Sequence, residues 1–189
     1  MRKYAFLAGC KPKLGLCIYV PYTGVTCHDY KRILKAYGVV LCIRDYNGGE
    51  LAGEFYHSYS HRAVPFQGIG QMTKRMEQLY DWLRFPFPGT NSRSFGQEKK
   101  LERQTEERIK IMRDEELLSR HGDIGTFIVR VQHRQNSSWQ GRITWMEEDR
   151  TIQFRSVWEM IKLIESAVDS VCQPEQTEEF NWFEEEGEK

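Results

Sequence analysis

The chain has no apolar run approaching the ~20 residues of a membrane-spanning helix, so no helical membrane span is expected. Cysteine is sparse and unpaired in pattern. Cys10, Cys17, Cys27, Cys42 and Cys172 are odd in number and contain no CxxC, which argues against a disulfide framework and against a closed zinc site. Cys10, Cys17, Cys27 and His28 are the one set that could gather as metal ligands. Their spacing lacks the tight pairs of structural zinc sites, so small thiols in a reducing compartment are expected, with no metal and no other cofactor. The apolar stretch Tyr4–Cys10 behind Arg2-Lys3 is at the short limit for a secretory leader and reads as a strand, giving a cytoplasmic expectation.

Catalytic templates are missing too. The sequence contains no P-loop, no GxGxxG after a strand, no HExxH and no GxSxG. His57, His61 and Asp45 near Cys42 are the only acid–base groups that invite attention, and they fall at turns and strand ends, where polar residues are ordinary. No enzyme is expected; a small-molecule sensor or enzyme using a pocket between repeated units ranks last.

The formal net charge is zero, but the charge is divided. Residues 173–189 hold seven acids and one base, and removing them leaves 20 acids and 26 bases. A basic body with an acidic tail suggests an interaction surface. Phe180, Trp182 and Phe183 are unusual residues for such a tail and are candidate partner contacts.

What the chain does contain is an internal similarity. Residues 38–84 laid over 126–172, an offset of 88, match at seven positions: Gly53/Gly141, Arg62/Arg150, Phe66/Phe154, Met72/Met160, Lys74/Lys162, Glu77/Glu165 and Asp81/Asp169. About three matches are expected by chance at ordinary composition, so the apolar pattern is the stronger sign. Val39, Leu41 and Ile43 fall on Phe127, Val129 and Val131, and Ile69, Met76 and Leu83 fall on Val157, Ile164 and Val171.

Each stretch predicts three strands and a helix. Phe127, Val129 and Val131 alternate with Arg130, Gln132 and Arg134, the two-residue period of a half-buried strand. Trp139–Met146 alternates again, and Arg150–Phe154 forms a third strand. Ser156 with Glu159 is a capping box, followed by Val157, Met160, Ile161, Ile164 and Val168 at helical spacing. The expected fold is α+β: two tandem βββα units, each an antiparallel meander covered by one helix, joined by a charged helical linker. The expected divisions are 1–37 (strands and a short helix against the first unit), 38–95 (first unit), 96–125 (linker, with a solvated helix over 97–119), 126–172 (second unit) and 173–189 (tail).

The outward face of the second meander is predicted to carry Arg130, Gln132, Arg134, Gln140, Arg142, Thr144, Thr151, Gln153 and Arg155, with no acid among them. Flat arginine and glutamine donors suit carboxylates, phosphates or base edges, while the bland alternative is an ordinary solvated face. Trp158 lies off the helix's apolar stripe and either seals the units together or anchors a partner. The first meander's outward residues Val40, Cys42, Ala52, Tyr56 and Ala63 are largely apolar. They must be covered by residues 1–37, by the other unit or by a second copy in a homodimer.

Phe127–Ala167 (FIVRVQHRQNSSWQGRITWMEEDRTIQFRSVWEMIKLIESA) and Phe66–Phe95 (FQGIGQMTKRMEQLYDWLRFPFPGTNSRSF) together resemble a family of uncharacterised bacterial proteins with this tandem unit. The resemblance implies a bacterial accessory protein and no particular activity. From the residues themselves the leading expectation is a non-enzymatic interaction or regulatory protein with a protein partner. DNA or RNA binding through the arginine-rich face is the alternative.

Overall fold

The computed structural model describes residues 37–90, 95–96 and 108–172. The possible ligands Cys10, Cys17, Cys27 and His28, the N-terminal strands and the tail with Phe180, Trp182 and Phe183 lie outside the described residues. No helix among the described residues is long and apolar enough to cross a membrane.

The expected α+β class holds. Strands β1 (Val39–Asn47), β2 (Glu50–His57) and β3 (Ser60–Gln67) precede helix α1 (Ile69–Leu83). After the short helix α2 (Asp114–Leu118) come β4 (Gly125–His133), β5 (Gln140–Trp145), β6 (Arg150–Phe154) and helix α3 (Val157–Cys172). All six strands form one antiparallel sheet in the order β3-β2-β1-β4-β5-β6. The seam between β1 and β4 pairs Val40 with Ile128, the two positions that the 88-residue offset superposes.

Within each set of three strands the pairing has the same irregularity. β1 pairs with β2 from Val39↔His57 to Ile43↔Gly53, slips at Arg44 and resumes at Asp45↔Ala52. β4 pairs with β5 from Phe127↔Trp145 to Val131↔Gly141, slips at Gln132 and resumes at His133↔Gln140. A β-carbon on Gly53 or Gly141 would land on the carbonyl oxygen of Cys42 or Arg130 respectively, so these backbones approach each other only because both residues are glycine. A bulge adds one residue and inverts the alternation beyond it. Tyr46 and Arg134 therefore turn to the inner face, where strict alternation had placed Arg134 outside. The hairpin turns also correspond: Gly48-Gly49 (φ 58° and 82°) and Asn136-Ser137 (φ 54° at both) are two-residue turns with both residues left-handed.

The helices are capped alike. Ser156 Oγ accepts the Glu159 N–H at 3.1 Å, and the Glu159 carboxylate accepts the Arg155 N–H at 2.7 Å. In α1, Gln71 Oε1 accepts the Gln67 N–H at 2.8 Å, while Gly68 (φ 78°) replaces the serine. Helix α1 ends at Leu83 through Arg84 in the left-handed region, with the Phe85 N–H returning to the Tyr80 carbonyl. Both helices cover the inner face. Leu41, Ile43, Phe55, Phe127, Val129, Ile143 and Phe154 meet Met72, Met76 and Tyr80 of α1 and Met160, Ile164 and Val168 of α3 in one core. Each large side chain so buried contributes about 1.5–3 kcal/mol.

The outer face corrects one expectation. Residues 108–118 do not form a solvated helix: only Asp114–Leu118 is helical, and Met112 and Leu117 are buried against Val40, Cys42, Tyr56, Ile128 and Met146. Met112 and Leu117 are the anchors of a strap, while Ile109 and Ile111 of the same run stay exposed. The strap is held by the Ile111 and Met112 N–H groups, which both donate to the Ser58 carbonyl. Val40, Cys42 and Tyr56 of the apolar outer patch of β1–β3 are thereby covered from within the chain.

Candidate functional site

The strap covers the β1–β3 side of the outer face and the central seam, leaving a polar surface on β4–β6. Arg130 pairs across the ladder with Arg142, and Arg142 with Gln153, so these three stand in one row across the strands. Beside them run Ile128, Thr144 and Thr151. Arg142, Thr151, Gln153 and Arg155 are exposed; Arg130, Gln132 and Gln140 are half-buried. On the other side, 88 residues earlier, the same row reads Cys42, Glu54 and Pro65. There Glu54 is held below the usual carboxylate range, chiefly by the hydrogen bond from Arg44 at 2.7 Å and also by the Tyr56 hydroxyl at 2.9 Å. That side is internally neutralised. The β4–β6 row contains no acid.

Of the expected outward residues, two do not belong to this surface as exposed groups. Arg134 is buried on the inner face, inverted by the bulge at Gln132, and bonds Glu77 and Asp81 of α1 and the Pro86 carbonyl. Thr144 points outward but is fully buried and hydrogen-bonds Thr151 at 2.8 Å. Arg155 is exposed yet chelated by Glu159, whose carboxylate is held low by the Arg155 backbone N–H and guanidinium. Trp158 is 63% exposed on α3, with the Lys162 ammonium 5.6 Å from its ring centroid.

The acid–base group imagined around Cys42 does not assemble. Cys42 lies under the strap on the outer face, and burial pushes its thiol up to about 12. His57 pairs with Val39 and lines an inner-face cleft with Phe55, Leu79 and Trp82, on the opposite side of the sheet. Burial lowers its pKa, and its Nδ1 accepts the Tyr59 N–H at 3.2 Å. Asp45 is exposed, and His61 is exposed near Glu116. Among the described residues no group of three His, Cys, Asp or Glu is placed to hold a metal ion.

One constellation escaped the sequence reading. Glu77 and Asp81, one helical turn apart on α1, receive Arg134 from the end of β4, and Glu77 also accepts the Trp139 indole N–H at 2.5 Å. On α3, Asp169 accepts the Tyr46 hydroxyl at 2.7 Å from the end of β1. Tyr46 is pushed up to about 12, first by burial and then by that bond. Each helix thus clamps the first strand of the other set. The trace of this was present as the identical pairs Glu77/Glu165 and Asp81/Asp169. A cleft of about 280 Å³ lies beside the first clamp, lined by Lys74, Glu77, Arg134, Ser138 and Trp139. Comparison with protein-family models, with curated proteins and with solved structures found no match.

Proposed function

We propose that this chain is a non-enzymatic interaction protein, built by duplication of a βββα unit, that docks an acidic protein partner on the β4–β6 half of its outer face. The duplication is supported by pairing registers, bulges, turns and helix caps that recur at one offset. The observation that carries the docking reading is the acid-free row Arg130–Arg142–Gln153, on the half that the strap leaves uncovered. A carboxylate-bearing partner would meet the exposed Arg142 guanidinium and the Gln153 amide through hydrogen bonds, the first of them charge-assisted. Three features favour protein over nucleic acid. The withdrawal of Arg134 thins the positive field, Arg155 is already bound to Glu159, and the row carries no aromatic platform on which bases could stack.

The test is affinity purification from the native host with the wild-type chain, the Arg130→Glu/Arg142→Glu variant and a chain lacking residues 173–189. The expected result is a partner lost on charge reversal from a variant whose circular dichroism is unchanged. Co-purifying proteins indifferent to the reversal reject this surface. Nucleic acid is the second reading, favoured by the same arginine row. It requires oligonucleotide binding that falls steeply with salt and vanishes in the same variant.

A further inference from the structure

A six-stranded open sheet has two edges, here β3 and β6, and they differ in kind. The Gly68 N–H donates to the Leu51 carbonyl at 2.8 Å, which sets the phase of the β2–β3 ladder. Phe66 and Val64 then bond Gly53 and Phe55, and Pro65 between them faces away from the sheet. Pro65 has no N–H, and the Arg75 guanidinium takes its carbonyl. Both groups that a further strand would need at that point are gone, so this edge is closed.

On the other edge the position 88 residues later is Gln153. The Met146 N–H donates to the Thr126 carbonyl at 2.9 Å, so Thr144 and Arg142 bond toward β4. Gly141, Ile143 and Trp145 therefore bond toward β6, through Phe154, Ile152 and Arg150. Thr151 and Gln153 are left with their N–H and C=O groups aimed off the sheet. No described strand lies there, and Leu163 stands where α1 has Arg75. The next outward donor, the Arg155 N–H, is taken by Glu159. The open stretch is thus short and bounded, with neither the proline nor the guanidinium cap that protects β3.

We propose that β6 pairs antiparallel with β6 of a second copy of this chain, about a two-fold axis through Ile152. The strand is self-complementary in that register. Thr151 meets Gln153 of the second copy, and both have their bonding groups outward. Arg150 meets Phe154 and Asp149 meets Arg155, so no like charges oppose one another. Ile152, 39% exposed at the rim of an apolar cleft with Phe127, Ile143 and Trp145, meets itself on the axis and is covered. Because the β3 edge is closed, the pairing stops at a dimer instead of running on into a fibre. The two acid-free rows then continue into one another across Gln153 and Thr151. This inference does not depend on what that surface binds.

The experiment is sedimentation equilibrium on the full chain with two edge variants. Gln153→Pro installs what β3 already carries at the corresponding outward position, and Thr151→Lys places a charge on the edge. Wild type is expected to dimerise, and either substitution to weaken the dimer by about tenfold or more, since each disturbs bonds twice across the axis, with the thermal melt retained. Ile152→Cys is expected to give a covalent dimer on mild oxidation, because facing residues in a non-hydrogen-bonded pair lie about 4.5 Å apart at Cα, and peptide mapping would locate the disulfide between the two introduced thiols. A wild type that stays monomeric at the highest concentration it tolerates overturns the proposal. So does a dimer that both edge substitutions leave intact.

Discussion

Arg134 carries a full charge where only 4% of its side chain meets water. It is tolerable there because two carboxylates and a backbone carbonyl surround the guanidinium fork. Arg134→Met removes the cation and leaves Glu77 and Asp81 as like charges one turn apart, but both are more than a third exposed and can rehydrate. The expected loss is therefore about 2–3 kcal/mol, below the range for a wholly buried pair, read by urea unfolding. Arg142→Met on the outer face is expected to change stability by no more than about 0.5 kcal/mol. His57 gives a pH signature at the same scale. Burial lowers its folded pKa below the ordinary 6.5, so as pH falls through 6.5 the unfolded chain takes a proton that the folded one refuses. Stability is fully present above that value and declines below it. The slope in the window above the carboxylate range is expected to flatten in His57→Gln, measured as unfolding midpoints between pH 5 and 8.

At the scale of elements, the β4–β5 turn holds Ser137 at φ 54°, where the β1–β2 turn has Gly49. The left-handed region costs a residue with a β-carbon about 1 kcal/mol, so Ser137→Gly is expected to raise stability by about 0.5–1 kcal/mol in the same urea assay. The strap makes a second prediction. Cys42 is buried beneath Met112 and Leu117, and Leu117→Ala is expected to speed its alkylation in the folded protein severalfold, followed by peptide mass spectrometry. An unchanged rate would mean that the strap does not gate the thiol. These elements also show what the sequence could reveal. The two-residue period of Phe127, Val129 and Val131 and the helical recurrence of Met160, Ile164 and Val168 were enough for the strands, the helix and the α+β class, because each pattern maps onto one buried face. The slip at Gln132 was not legible, since a bulge inserts one residue without altering composition. Its only trace was Gly141, and missing it put Arg134 on the wrong face of the sheet. Met112 and Leu117 were misread because Ile109 and Ile111 in the same charged run are exposed, so apolar character there does not mark a buried side. Their burial depends on a patch 70 residues away in sequence, around Val40 and Cys42, that periodicity cannot pair with them.

For the whole molecule the seam decides how the fold is lost. Val39, Val40, Leu41, Cys42 and Ile43 of β1 and Thr126, Ile128 and Val129 of β4 are inaccessible to water, because helices cover one face and the strap the other. The clamps from α1 to Arg134 and from α3 to Tyr46 cross the same line in opposite directions. Neither set of three strands can melt without exposing the other's first strand and unpairing one of these contacts. The free energy of opening either side alone therefore approaches that of opening both, and unfolding is expected to be a single cooperative step. Tryptophan fluorescence reports mainly on the β4–β6 side through Trp139 and Trp145, and far-ultraviolet dichroism on both. Their denaturation curves should coincide, and Ile128→Ala at the seam should move both by the same amount, about 2–4 kcal/mol. Amide exchange should be slowest in β1 and β4, and only global opening should release it. Two separated transitions, or a seam substitution that shifted one probe and spared the other, would show the sheet to be two independent units in edge contact.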